Sequence, residues 1–326
     1  MGRCTEENAG WPGPACCLRY AIKWRMIPSR GLKDHAYETG QRVPDMPYLF
    51  FPITQHKLAS CRAAVLLVFG LAIAAARAEV SELVLGIAPL QSEAEIREQF
   101  QPLCDYLAAI ARLPCRVGTR PNFITYWETI RQGKDFNLIL DEAHFTDYRA
   151  QKMNFTVLAK IPNTVTYSLI VPRAAKLYDP GRLAGRRIAT LGIPSMGAAQ
   201  LNGLFTRPSK QPILVEADSA ATAFALLRDD KVEAAILPTQ LVREEIVRGA
   251  PFRVLLSTAP LPHMGFSAAP AISPDLRQRL RQALLDAHKN DAGRAMLAHI
   301  GIERFDPANA TVYAGQSRVL KEYWGY

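Results

Sequence analysis

The chain has 326 residues, 49% hydrophobic and 21% charged, with a formal net charge of +9. This length and apolar content fit about two globular domains with a sizeable core, and they exclude a disordered or low-complexity chain. The charge does not specify a polyanion: residues 1–78 carry ten Lys/Arg against five Asp/Glu, and residues 79–326 carry 29 against 25 without a basic run. Nucleic-acid binding is therefore not expected.

Residues 1–45 mix Pro, Cys, Gly and charges with no helical or strand period, and they stand as an unexplained N-terminal extension. Residues 46–78 have the layout of a secretory signal peptide. His56, Lys57 and Arg62 precede an apolar stretch at 63–75, and Ala76-Arg77-Ala78 suits cleavage before Glu79. The stretch is shorter than the roughly 20 residues a membrane-spanning helix needs. Translation from Met46 and a periplasmic location are expected. Four of the six cysteines, Cys4, Cys16, Cys17 and Cys61, fall in this N-terminal part. Cys104 and Cys115 remain, either joined in an oxidising compartment or buried as two small apolar residues.

From Glu79 onward strand and helix patterns alternate. Leu83–Ile87 reads as a strand, and Ser92 with Glu95 forms a capping box that starts a helix. Apolar residues at Ile96, Phe100, Leu103, Leu107 and Ile110 carry that helix toward Pro114. A strand at 115–119, a helix at 124–132 ending on Gly133, and a strand at 136–140 follow. The same grammar returns with strands at 187–191, 213–215, 232–236 and 252–256 and helices from about Ser195, Asp218-Ser219 and Thr239. Past Pro274 the chain is mostly helical, with Gly301 stopping a helix that begins near Asp291. Repeated units of this kind predict an α/β protein with parallel sheets covered on both faces. Two extended stretches, 164–171 and 257–269, break the pattern and read as crossovers between two lobes. The first lobe takes residues 79–166 and 260–326, and the second takes 167–259.

The chain resembles the periplasmic phosphate/phosphite/phosphonate-binding proteins of ABC transporters. The carriers are Val84-Leu85-Gly86-Ile87-Ala88-Pro89, the segment 130–138, Tyr167-Ser168-Leu169-Ile170-Val171 and the segment 183–189. Pro194-Ser195-Met196-Gly197, Tyr313-Ala314-Gly315 and Tyr323-Trp324-Gly325-Tyr326 add to them. The resemblance implies a two-lobed type II periplasmic-binding-protein fold with two crossover hinge strands. It also implies a monomer without a cofactor that closes on a small anionic ligand, phosphate-, phosphite- or phosphonate-like, and hands it to a membrane permease. Two positions depart from the family pattern. Phe123 stands where a tyrosine is common, and Ser195, Met196 and Gly197 replace a Ser-Thr-Ser cluster.

Ligands in open α/β sheets bind beyond the carboxyl ends of the strands. That rule nominates Pro194-Ser195-Met196-Gly197, whose helix start offers free amides and a positive dipole end to an anion. Ser195 adds a hydroxyl, as ligand donor or as N-cap. Asp218 and Ser219 repeat the geometry, although Asp218 repels an anion unless the ligand carries an amine, and a cap is the simpler role. After the third strand come Asp141, Glu142 and His144; His144 can donate to an oxyanion, or cap a helix. Metal binding there lacks a distant partner and is not expected. Tyr167 and Ser168 lie on a crossover with hydroxyls toward the cleft, and Pro238-Thr239 and His263 complete the rim. The candidate ligand-binding set is thus Phe123, Asp141, His144, Tyr167, Ser168, Ser195, Met196, Gly197, Asp218, Ser219 and Thr239.

No catalytic set emerges. Ser195 has Gly197 after it but Ile193 before it, half of a nucleophile elbow. HExxH, GxxxxGK[ST] and a GxGxxG after the first strand are missing from the sequence. A binding protein rather than an enzyme is expected. The alternatives are a ligand sensor docking on a membrane kinase or chemoreceptor and, behind it, a hydrolase.

Overall fold

The computed structural model describes residues 80–325, so the N-terminal extension and the signal peptide lie outside the described residues. The elements begin with β1 (Leu83–Ile87), α1 (Glu93–Ala111), β2 (Cys115–Gly118), α2 (Phe123–Gln132), β3 (Leu138–Asp141), α3 (Ala143–Lys152) and β4 (Thr156–Lys160). Next come β5 (Thr164–Val165), β6 (Tyr167–Pro172), β7 (Arg187–Thr190), α4 (Met196–Leu204), β8 (Ile213–Glu216), α5 (Ala220–Arg228), β9 (Ala234–Pro238) and α6 (Thr239–Val247). The chain continues with β10 (Phe252–Ser257), β11 (Leu261–Pro262), β12 (Gly265–Ala268), α7 (Pro274–Asp286), α8 (Asp291–Ile300), β13 (Asp306–Pro307) and α9 (Arg318–Trp324).

These strands form two main sheets. The first lobe has the order β13-β4-β12-β3-β1-β2 and the second β10-β6-β9-β7-β8. In the first sheet β1 lies parallel between β2 and β3, with Leu83 opposite Cys115 and Leu85 opposite Leu138. In the second, β7 lies parallel between β8 and β9. Strands β1, β3 and β9 are buried along their whole length, as strands covered by helices on both faces must be. A third, two-stranded ribbon pairs β5 with β11, Leu261 opposite Val165. It is built from the two extended stretches, and it carries the chain between the sheets. This is a two-lobed α/β architecture with paired crossovers.

Local chemistry explains most boundaries. Ser92 and Glu95 make the reciprocal capping box at the head of α1, and Gly133 ends α2 at φ 65°. Two strands are displaced from their sequence positions. The strand expected at 232–236 is found two residues later as β9. That expected at 136–140 begins only at Leu138, because Phe136 is a plug and not a rung. A Cβ on Gly86 of β1 or Gly118 of β2 would stand 2.7 Å from the Phe136 ring, so the two glycines make a slot that the ring fills.

Cys104 near the end of α1 and Cys115 at the start of β2 form a disulfide with Cα atoms 5.5 Å apart, so the pairing left open by the sequence is made. It closes a short loop and ties the helix to the sheet. Among the described residues no helix is long and apolar enough to cross a membrane. Replacing both cysteines with alanine should lower unfolding free energy by about 3 kcal/mol on loop-entropy grounds. Urea denaturation of oxidised wild type and the double variant measures this, and equal midpoints would show that the bridge adds nothing.

Candidate functional site

The central residue of the cleft is one that the sequence analysis left out of its set. Glu142 follows β3 and occupies the N-cap position of α3, but its side chain caps nothing there. Instead it crosses to the second lobe. Its Oε1 accepts a hydrogen bond from the Tyr167 hydroxyl at 2.5 Å, and its Oε2 accepts one from the Met196 amide at 3.2 Å. Met196 is the first residue of α4, so the carboxylate sits at the positive end of that helix. His144, two residues on, donates from Nε2 to the Pro194 carbonyl at 2.9 Å. A carbonyl can only accept, which places the proton on Nε2 and leaves Nδ1 as an acceptor. That Nδ1 is buried and has no hydrogen-bond partner among the described residues.

A second contact has the same design. The Leu90 carbonyl, just after β1, accepts from the amide of Ala220 at 3.1 Å. Ala220 is the first residue of α5. Each of the two second-lobe helix starts nominated as an anion seat therefore has its first amide occupied by an oxygen of the first lobe. Ser195 and Ser219 serve as N-caps, accepting from the Ala198 and Thr222 amides at 3.3 and 3.1 Å. Groups of the two lobes are thus joined directly by hydrogen bonds across the cleft.

Burial sets the protonation of these groups. Glu142 is 4% exposed, and desolvation lifts its carboxyl to about 7 against the lowering effect of the Tyr167 and Met196 hydrogen bonds. His144 is fully buried, and desolvation drops it to about 3 although the Pro194 carbonyl favours the proton. The Tyr167 hydroxyl is pushed well above its ordinary value, first by burial and then by Glu142. At neutral pH His144 is therefore uncharged, and oxyanion donation from its unprotonated Nδ1 is closed to it.

The other candidates take structural places. Both oxygens of Asp141 are held by Arg149, at 2.5 and 2.6 Å, with further bonds from the Thr146 and Tyr126 hydroxyls at 3.0 Å. Arg149 also donates to Ser267 of β12 at 3.0 Å. Phe123 packs against Tyr126 and Phe145 in the first lobe. Ser168 and Thr239 bond each other at 2.9 Å and reach Ser257 and Thr166 respectively, so their hydroxyls knit β6 to α6 and β10. A Cβ on Gly197 would stand 3.5 Å from the Tyr167 ring. Asp218 is exposed on the second lobe.

Beside the Glu142 contact lies a cavity of about 230 Å³, bounded by Glu142, Tyr167 and Met196 on one side. Ile87 at the end of β1, Leu90 beyond it, Phe100 of α1, Leu241 of α6 and Met264 after β11 make the apolar part of its wall, and Gln91, Gln99 and Gln240 are among the polar part. A wider recess of about 580 Å³ around the crossover ribbon shares Val165, Gln240, Glu244 and His263 with it. His263 is held near 4, by burial first and then by Lys160, and is uncharged at neutral pH.

Two lobes joined by paired strands, with polar groups meeting across the gap, are the architecture of the periplasmic solute-binding proteins. A family model described as "ABC transporter, phosphonate, periplasmic substrate-binding protein" matches residues 85–313, and the chain belongs to that family. PhnD1 of Prochlorococcus marinus, solved in complex with methylphosphonate, is similar at 15% identity and a TM-score of 0.66 over 76% of this chain and 99% of its own. A Xanthomonas citri protein solved bound to ATP is similar at 18% identity and a TM-score of 0.61, covering 75% of this chain and 100% of its own. A binding-protein component of an ABC phosphonate transporter from Pseudomonas aeruginosa shares 11% identity at a TM-score of 0.61, over 72% and 83%. No curated protein matches the chain. At these identities the solved structures show the type II periplasmic binding fold, as the sequence resemblance implied.

Two outcomes follow. Asp141→Asn removes the counter-charge of a fully buried arginine and should destabilise the fold by about 3–5 kcal/mol in urea denaturation; a loss below about 1 kcal/mol would mean that Arg149 finds other partners. Glu142 has a folded-state value above its unfolded one, so its favourable contribution is fully present below about pH 4.5 and is lost as pH rises through 7. Glu142→Gln should therefore gain on wild type between pH 4.5 and 8, by an amount on the order of 3 kcal/mol. Parallel stability curves for the two proteins over that range would contradict the assignment.

Proposed function

We propose that the chain is exported by the signal peptide at 46–78 and serves as the extracytoplasmic solute-binding component of an ABC transporter. It closes two lobes over a small ligand, delivers it to a membrane permease as a monomer, and performs no chemistry on it. The observation that carries this reading is the set of bonds across the cleft. Glu142 and His144 of one lobe reach Tyr167, Met196 and Pro194 of the other within hydrogen-bond distance, beside a partly open cavity. Hinge proteins close when the closed form offers bonds that the open form lacks. Here four such bonds exist between protein groups alone, the fourth being that of the Ala220 amide to the Leu90 carbonyl.

The ligand class read from the sequence, a small oxyanion, enters this proposal in one form. An oxyanion at the start of α4 takes the place of the Glu142 carboxylate and inherits its donors, the Met196 amide and the Tyr167 hydroxyl. The methylphosphonate and ATP named for the similar structures supply the analogy. Ser195, Gly197 and Ser219 then shape the seat, while Phe123, Asp141, Ser168 and Thr239 hold its walls.

If these contacts hold the unliganded lobes together, the double variant Glu142→Ala/His144→Ala should open the hinge. Small-angle scattering should then show a larger radius of gyration than wild type, with an unchanged far-ultraviolet circular dichroism spectrum. An identical radius in both proteins would show that closure rests elsewhere.

A further inference from the structure

The cavity beside Glu142 has a chemistry of its own, apart from the helix start. A dry apolar cavity of about 150 Å³ is enough for benzene, and this one measures about 230 Å³. It therefore admits a ring-sized body with a short arm. Its lining carries two acids, Glu142 and Glu244, and no lysine or arginine among the described residues. Glu244 is exposed at the rim, 3.7 Å from Arg248. Glu142 is the buried one. An ionised carboxylate has about four acceptor sites, and the contacts with Tyr167 and Met196 use two of them.

A charge in this position selects its guest. An anion inside the cavity stands next to a buried carboxylate with no cation on the walls to neutralise either, and repulsion at low effective dielectric is strong. A neutral apolar guest fits but leaves the carboxylate's remaining sites unused. Resting on the reading that the cleft is a solute site, the geometry points to a small guest with an apolar body and a protonated amine, seated in this cavity with its ammonium on the open acceptor sites of Glu142. The body packs on Leu90, Phe100, Leu241 and Met264, and the ammonium forms charge-assisted bonds, the strong kind in a desolvated site. No withdrawal of Glu142 is needed, so this guest binds the closed form as described.

Calorimetric titration of the purified protein with phenethylamine, 2-phenylethanol and methylphosphonate tests this. Phenethylamine should bind at least about tenfold tighter than the alcohol of the same shape. Glu142→Gln should erase that preference, and Leu241→Trp, which fills the cavity from α6, should abolish binding of the amine. Equal affinity for amine and alcohol, or a preference that survives in Glu142→Gln, overturns the assignment to the carboxylate. Binding of methylphosphonate without phenethylamine overturns the amine and leaves solute capture standing. Heat from none of the three would overturn both. Should Glu142→Gln fail to fold, the amine–alcohol pair on wild type and the Leu241→Trp variant still decide.

Discussion

One carboxylate governs the cleft. Burying an ionised carboxylate costs several kcal/mol unless its lone pairs are met by donors. Glu142 meets two, a phenol and a helix-start amide, both from the opposite lobe. These are neutral donors, and they do not offset its desolvation in full, since its carboxyl stays raised to about 7. The contact therefore joins the lobes through neutral donors alone. Its neighbour in sequence shows the contrast. Asp141 is clasped by a guanidinium of its own lobe through two short bonds, with two hydroxyls besides. One peptide bond separates a permanent ion pair that stiffens a lobe from a conditional bond that joins two.

The rest of the architecture lets that bond act. One apolar cluster lies around α1, α7 and α8 and another around β6, β7 and α4, while a third takes in Val84, Trp127 and Phe145 of the first lobe together with Ile170, Ala189 and Phe224 of the second. The crossover ribbon is short, two residues on each strand. At the crossover, the Thr166 hydroxyl bonds Thr239, and Ser168 bonds Thr239 and Ser257 within the second lobe. The cross-cleft work falls to Glu142, His144 and the Leu90 carbonyl.

How much of this was legible depends on the range of the interaction. Capping at Ser92 and Glu95, the stop at Gly133 and the helix starts at Ser195 and Ser219 are decided within four residues, and sequence spacing reveals them. The crossovers were legible because 164–171 and 257–269 fit no βα unit. The Phe136 plug was not, because its slot is made by glycines 50 and 18 residues earlier in the chain. Asp141 was read as a ligand residue, and its partner Arg149 lies across a strand-to-helix turn where no periodicity links them. Glu142 was passed over for a similar reason. A strand-end acid has no sequence mark that tells a capping role from a reach across a cleft, and its partners are a backbone amide and a tyrosine assigned to a different duty.

Charge gives the same lesson at a larger scale. Residues 79–326 are net basic, and a basic surface draws anions from solution over roughly a Debye length. Inside the cleft that field is replaced by the nearest few atoms. There the two helix starts that favour an anion are met by first-lobe oxygens, and the adjoining cavity is lined by a buried acid and, among the described residues, by no lysine or arginine. A ligand arriving under the long-range field therefore faces a local potential of opposite sign. Recognition in such a site is decided by which guest leaves no buried charge unpaired, and net charge is silent on that question.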